Sequence, residues 1–115
     1  MEPWATITTC SRRSAGNTRE LREPIGDVYA GFAQTHRAVV ADGALAAKTK
    51  ELMALAIAVH DDCDCCIASH ARGAARQGAT AEEVAETIGV TIQMGTDPST
   101  IYGPRAWAAY NDFAT

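Results

Sequence analysis

The sequence lacks the features that mark several large classes of protein. No apolar run approaches the roughly 18 residues of a membrane-spanning helix, and the N-terminus shows no apolar segment of a secretory signal. Basic residues number 10 against 14 acidic ones, and a formal charge of −4 argues against nucleic-acid or anionic-membrane partners. Four cysteines are few for a disulfide scaffold. A cytoplasmic location, where thiols are kept mostly reduced, is therefore expected.

The chain does have enough apolar residues for one folded domain. Hydrophobic residues make up 47% of its 115 residues, which excludes disorder for most of the chain. Residues 1–20 show no sustained hydrophobic period and are interpreted as a loose N-terminal arm. Residues 21–115 are expected to form a single helical domain.

Five helices are predicted from apolar side chains that recur every three or four residues. They are expected from Pro24 to the Asp42-Gly43 turn, over 45–60, over 63–77, from Thr80 to Gly95, and from Asp97 to Phe113. Asp61 or Asp62 is expected to cap the third helix, and Gly78 to end it. Thr80 and Glu83 form a near capping box for the fourth. No convincing strand is present, so the predicted fold class is all-α.

The residues that carry chemistry lie at the start of the predicted third helix, in the run Cys63-Asp64-Cys65-Cys66. Cys63 and Cys66 are three residues apart and share a helix face, so their sulfurs can reach disulfide distance. Unpaired backbone N–H groups at a helix start favour a thiolate on Cys63. The neighbouring aspartates disfavour it, and the sequence leaves that balance open.

Two further side chains are candidates for the same face. His70 follows Cys66 by four residues, where an imidazole can take the thiol proton. Glu51 lies on the preceding helix, and in an antiparallel hairpin its carboxylate can point at the cysteines and accept a proton. Taken alone, the cysteine pair has a plainer interpretation as half of a metal site. In the same way, His70 alone is interpreted as an ordinary histidine and Glu51 alone as a solvated glutamate. Together, at this spacing, they are much more specific.

That spacing resembles a known active-site signature. Glu51, eleven residues, Cys63, two residues, Cys66, three residues and His70 match the pattern of the AhpD-like alkylhydroperoxidases, which belong to the carboxymuconolactone decarboxylase family. The segments KTKELMALAIAV before the cysteines and CIASHARGAARQGATAEEVAETIGV after them are also similar to that family. The resemblance covers about residues 24–113.

The resemblance implies an AhpD-like helical fold that assembles into trimers or hexamers and reduces hydroperoxides through the cysteine pair. It makes Cys66 the peroxide-attacking thiol, Cys63 the resolving thiol, and His70 with Glu51 the proton relay. The disulfide that results would be reduced by a small thiol, a lipoyl domain or a thioredoxin-like protein. Such a cycle requires no metal ion and no organic cofactor.

The sequence departs from the family pattern at one position. The best-studied peroxidases of the family carry a histidine just before the second cysteine, where this chain has Cys65. A thiol does not replace imidazole as a proton relay near neutral pH, so we expect weaker peroxidase activity or none. Cys65 is expected to face away from Cys66, and Cys10 is interpreted as a bystander thiol. His60 is a candidate for an additional place in the relay.

Other functions stay open at this point. Cys63, Cys66 and His70, with Glu51, offer a weak zinc site and hence a metal-binding module. A redox-silent helical assembly protein is a further alternative. Decarboxylation of a muconolactone-type ring is less favoured, because that branch of the family does not rely on the cysteine pair. The Ala- and Gly-rich helices favour close packing beyond one small bundle, so a homo-oligomer is predicted.

Overall fold

The computed structural model describes residues 15–114, and within that range every regular element is a helix. The six helices are residues 15–22 (α1), Gly26–Val40 (α2), Ala47–His60 (α3), Asp64–Arg76 (α4), Ala81–Gly95 (α5) and Asp97–Ala114 (α6). The predicted all-α class is confirmed. Helix α1 lies partly in the predicted arm, whereas residues 1–14, including Cys10, lie outside the described residues. None of the described helices is long and apolar enough to cross a membrane.

The core lies between α3, α4, α5 and α6. Its largest fully buried apolar side chains are Leu55, Ile67, Val59 and Val84. Alanines complete the core, and they include Ala71, Ala74, Ala106 and Ala109. These small side chains let the helix backbones approach closely: a Cβ on Gly103 of α6 would lie 2.7 Å from a methyl carbon of Ile88 on α5. The core therefore holds α3 and α4, the two helices that carry the candidate residues, in a fixed relation.

Helix α2 differs from the other long helices because none of its residues is buried. It begins at Gly26 rather than near Pro24, which lies in the preceding turn. Its apolar residues Val28 and Phe32 are 66% and 72% exposed. The predicted helix is present, but the rest of the described chain leaves its apolar face uncovered.

The turn between α3 and α4 places the first cysteine differently from the prediction. Asp61 still donates its backbone N–H to the carbonyl of Ile57 and so ends α3. Asp62 occupies the left-handed region with φ 56°. The helix cap is Cys63, whose Sγ accepts the backbone N–H of Cys66 at 3.3 Å. The expectation that Asp61 or Asp62 caps this helix is wrong because both are used in the turn.

The other two predicted helix ends are present. Gly78 follows α4 with φ 82°, a conformation that glycine adopts without steric cost. The capping box of α5 is complete: Thr80 Oγ1 accepts the N–H of Glu83 at 3.1 Å, and the N–H of Thr80 donates to Glu83 Oε1 at 2.8 Å.

The capping box makes a small part of the stability depend on pH. The N–H of Thr80 and the nearby Lys48 ammonium, 2.9 Å from Oε2, lower the pKa of the Glu83 carboxyl. The stabilisation by the Glu83 carboxylate is therefore present above the pKa that this carboxyl has in the unfolded chain. It is lost as the pH falls through the pKa of the carboxyl in the folded protein. We expect the Tm of the wild type to fall more between about pH 6 and pH 3 than that of Glu83→Gln. Parallel Tm curves from circular dichroism would contradict this.

Candidate functional site

Cys63 and Cys66 form a disulfide across the first turn of α4, with their Cα atoms 5.3 Å apart. The helix itself brings them together, since residues three apart lie on one face. Cys66 is exposed, whereas Cys63 is partly buried at the cap position. A dissolved reagent therefore has readier access to the sulfur of Cys66.

Glu51 and His70 meet between α3 and α4. The Glu51 side chain is buried, with 7% of the residue exposed, and its Oε1 lies 3.2 Å from Nδ1 of His70. A carboxylate at Nδ1 favours the tautomer with its proton on that nitrogen, which leaves Nε2 as the acceptor. His70 lies one helical turn after Cys66. The arrangement suits an imidazole that takes a proton from the Cys66 thiol.

Gly73 makes room for this contact. A Cβ built on Gly73 would overlap the Glu51 carboxylate. The residue lies on α4, three positions after His70 and on the same face. The sequence shows it only as one of several small residues in α4. Its role depends on the distance between α3 and α4, which the spacing of residues within α4 does not reveal.

The aspartates around Cys63 differ in how far their negative charges are compensated. This difference affects how strongly they disfavour a thiolate on Cys63, which the sequence alone leaves open. Asp64 accepts two hydrogen bonds from Nη1 of Arg105 on α6, at 3.0 and 3.1 Å. Asp61 and Asp62 are exposed, so water and salt screen their charges. Cys63 Sγ also receives a backbone N–H at the positive end of α4. The geometry therefore favours a thiolate on Cys63 when the pair is reduced.

This arrangement gives Arg105 a testable effect on the cysteines. In Arg105→Gln the Asp64 charge stays beside Cys63 without its cation, so we expect less Cys63 thiolate at neutral pH. The midpoint of the pH profile for alkylation of Cys63 should rise by about half a pH unit, because the ion pair is partly exposed. Peptide mapping after iodoacetamide pulses measures this. Arg76→Gln removes the same charge from exposed α4 surface and should leave the midpoint in place; an equal shift in both variants would contradict the local effect.

A cavity of 460 Å³ opens beside the cysteines between α2 and α4. Its lining includes Phe32, His36 and Arg37 from α2 and Cys66, Ser69 and His70 from α4. The His36 and His70 rings have centroids 6.5 Å apart. His36 is a candidate that sequence reasoning misses, because its helical spacing with Phe32 is visible in the sequence but the cavity between α2 and α4 is not.

Two sequence-based expectations change at this cavity. Cys65 lines it together with Cys66, so the expectation that Cys65 faces away is wrong: the cavity is wide enough to reach neighbouring positions of α4. His60 lies instead in a separate cavity of 160 Å³ with Val90 and Met94 of α5. Among residues 15–114 no three His, Cys, Asp or Glu side chains are grouped to hold a metal ion, including those named above as weak zinc ligands.

A family model and a solved structure both indicate one family. The model of the carboxymuconolactone decarboxylase family matches residues 26–111. An apo crystal structure of a carboxymuconolactone decarboxylase family protein from Legionella pneumophila aligns with a TM-score of 0.87 and 33% identity, covering 100% of both chains. An uncharacterised protein of Cupriavidus necator is 39% identical over 80 residues, 70% of this chain and 71% of that protein. An uncharacterised protein of the cox locus of Paracoccus denitrificans is 34% identical over 97 residues, 84% and 85%.

Proposed function

Because the chain belongs to the carboxymuconolactone decarboxylase family, we propose that it is a thiol peroxidase that reduces hydroperoxides through Cys66 and Cys63. The observation that carries the proposal is the contact of 3.2 Å between the buried Glu51 carboxylate and His70, one helical turn from Cys66. A cysteine pair alone suits many redox tasks. A pair with an oriented base beside its exposed member is suited to forming a nucleophilic thiolate.

The proposed cycle consumes one hydroperoxide and two thiols. The Cys66 thiolate attacks the terminal peroxide oxygen, the O–O bond breaks, and the leaving alkoxide takes a proton to become an alcohol. Cys66 is then a sulfenic acid. The Cys63 thiolate attacks its sulfur and displaces hydroxide, which leaves as water, and the Cys63–Cys66 disulfide forms. Two external thiol groups then reduce the disulfide in two exchange steps and are themselves oxidised to a disulfide.

The roles of the two cysteines are assigned from their solvent exposure and from the groups near their sulfur atoms. Cys66 is exposed, lines the cavity and has His70 one turn away. Cys63 is partly buried, and its sulfur accepts a helix N–H that also stabilises a thiolate, which suits the second, intramolecular attack. In the disulfide the exposed Cys66 sulfur is the position that a small thiol, a lipoyl domain or a thioredoxin-like protein would attack.

Assembly into a homo-oligomer, a trimer or hexamer, is part of the proposal. The support is apolar surface that the described chain leaves open on α2, on α3 and on the segment between them. Val39, Leu45, Met53 and Ile57 line one cavity of 440 Å³ there, and each is at least 46% exposed. Apolar surface of this kind is usually covered by a partner. A light-scattering mass of a single chain would contradict assembly.

The test of the proposed function is oxidation of the reduced protein with one equivalent of cumene hydroperoxide, followed by peptide mapping. We expect the Cys63–Cys66 disulfide and one equivalent of cumyl alcohol, with repeated turnover when dithiothreitol is present. Cumyl alcohol in place of the hydroperoxide is the control and should leave both thiols reduced. If the pair oxidises with a small disulfide but not with the hydroperoxide, the peroxidase assignment is overturned and disulfide exchange takes its place.

A further inference from the structure

We propose that His36 is the proton donor to the alcohol that leaves when Cys66 attacks a hydroperoxide; this rests on the proposed function. Sequence motifs give His36 no role. The structure places it in the cavity that Cys66 and His70 also line, with its ring centroid 6.5 Å from that of His70 and the ring planes at 43°. Two imidazoles from different helices therefore face one reaction space.

The in-line geometry of the displacement gives the imidazoles of His70 and His36 different roles. Displacement at a peroxide oxygen needs sulfur and the two oxygens nearly in line, so the leaving oxygen departs on the side away from the sulfur. Cys66 and His70 lie one turn apart on α4, the same wall of the cavity. The leaving oxygen therefore departs toward the opposite wall, which is α2. A base on α4 is well placed for the thiol proton and poorly placed for the departing alkoxide.

On the α2 wall, His36 has the chemistry that the leaving group needs. An imidazole is the side chain that both holds and releases a proton near neutral pH. Arg37, which also lines the cavity, keeps its proton and supplies only a positive charge. Phe32, one turn before His36, offers an apolar surface to the organic part of a hydroperoxide. The ionisable groups that line the cavity with His36 are Arg37 on its own helix and His70 on α4, with Cys66 once the disulfide is reduced. Glu51 of α3 lies behind His70.

The cavity that Cys66 lines thus has two imidazoles. His70 comes from α4, the helix that carries the cysteine, and His36 comes from α2.

The test compares two oxidants with different leaving groups in His36→Gln. Cumene hydroperoxide releases an alkoxide, which needs a proton, whereas peracetic acid releases acetate, which does not. We expect oxidation of Cys66 by cumene hydroperoxide to slow about 100-fold, and oxidation by peracetic acid to stay within about twofold of wild type. Alkylation of Cys66 by iodoacetamide, and its pH profile, should not change, because His70 still takes the thiol proton. Stopped-flow rates and peptide mapping give all three quantities.

The outcomes separate this role from the proposed function. His36 is exposed, so His36→Gln should fold normally, and His60→Gln removes an imidazole from the other cavity as a matched control. Equal rates for His36→Gln and wild type with cumene hydroperoxide would overturn the proton donor and leave the peroxidase intact. Equal slowing with both oxidants would also overturn it, since a distorted cavity has that effect. A wild type that reacts with neither oxidant overturns both.

Discussion

The Cys66→Ser variant is expected to lose hydroperoxide reduction completely, whereas Cys63→Ser should still react once. A serine hydroxyl carries almost no alkoxide at neutral pH and does not attack a peroxide oxygen. In Cys63→Ser the attacking thiol, His70 and Glu51 are all retained, so one equivalent of hydroperoxide should be consumed. The product should be a sulfenic acid on Cys66 that has lost its resolving partner.

Dimedone, present from the start, traps the sulfenic acid and shows which sulfur reacted. We expect the adduct on Cys66 in Cys63→Ser, and no adduct with no peroxide loss in Cys66→Ser. An adduct on Cys63 in the Cys66→Ser variant would reverse the assignment of the two cysteines. An adduct on any cysteine other than Cys66 would likewise show that a different sulfur attacks the peroxide.

Gly73→Ala is expected to disable the proposed proton relay of Glu51 and His70 without changing a reacting group. The added methyl would occupy the place of the Glu51 carboxylate, which must then move away from His70. We expect Cys66 alkylation and hydroperoxide reduction at neutral pH to fall about 100-fold, as in Glu51→Gln, because general-base assistance is lost in both. The variant should also lose about 1 kcal/mol of unfolding free energy, because overpacking outweighs the gain from replacing a helical glycine.

Gly89→Ala is the matched control for Gly73→Ala. It lies inside α5, and a Cβ there meets nothing within 4 Å. The same substitution should therefore stabilise the protein by about 0.5–1 kcal/mol and leave both rates unchanged. Urea unfolding and alkylation kinetics on the two variants decide the matter. A Gly73→Ala protein with wild-type rates would show that the carboxylate is not needed at His70.

The sequence is sufficient to predict those features that depend on neighbours along one helix. The Cys63–Cys66 pair and the spacing to His70 follow from three- and four-residue periods. A hairpin between α3 and α4 was enough to expect Glu51 near the cysteine face, and the structure brings it to His70. The cap at Cys63 was missed because cysteine is outside the usual set of cap residues, and the two aspartates before it belong to that set.

What could not be predicted depends on how separate helices are placed. Gly73 is needed because α3 and α4 come so close that a methyl group would meet the Glu51 carboxylate. His36 reaches the cavity because α2 lies beside α4. Arg105 pairs with Asp64 across 41 positions of sequence. None of these contacts produces a periodic pattern in the sequence, because each depends on how the buried core positions separate helices.

The absence of buried residues on α2 affects the dynamics of the cavity between α2 and α4. Segments that bury little apolar surface open locally at far lower free energy than the core. Amide protons of α2 should therefore exchange with deuterium well before those of α3 and α4 around Leu55 and Ile67, which are fully buried. Each such opening removes the wall that carries Phe32 and His36 while Cys66 and His70 stay on the rigid frame. For the proposed reaction, we therefore expect substrate entry and product exit to depend on the motion of this one helix.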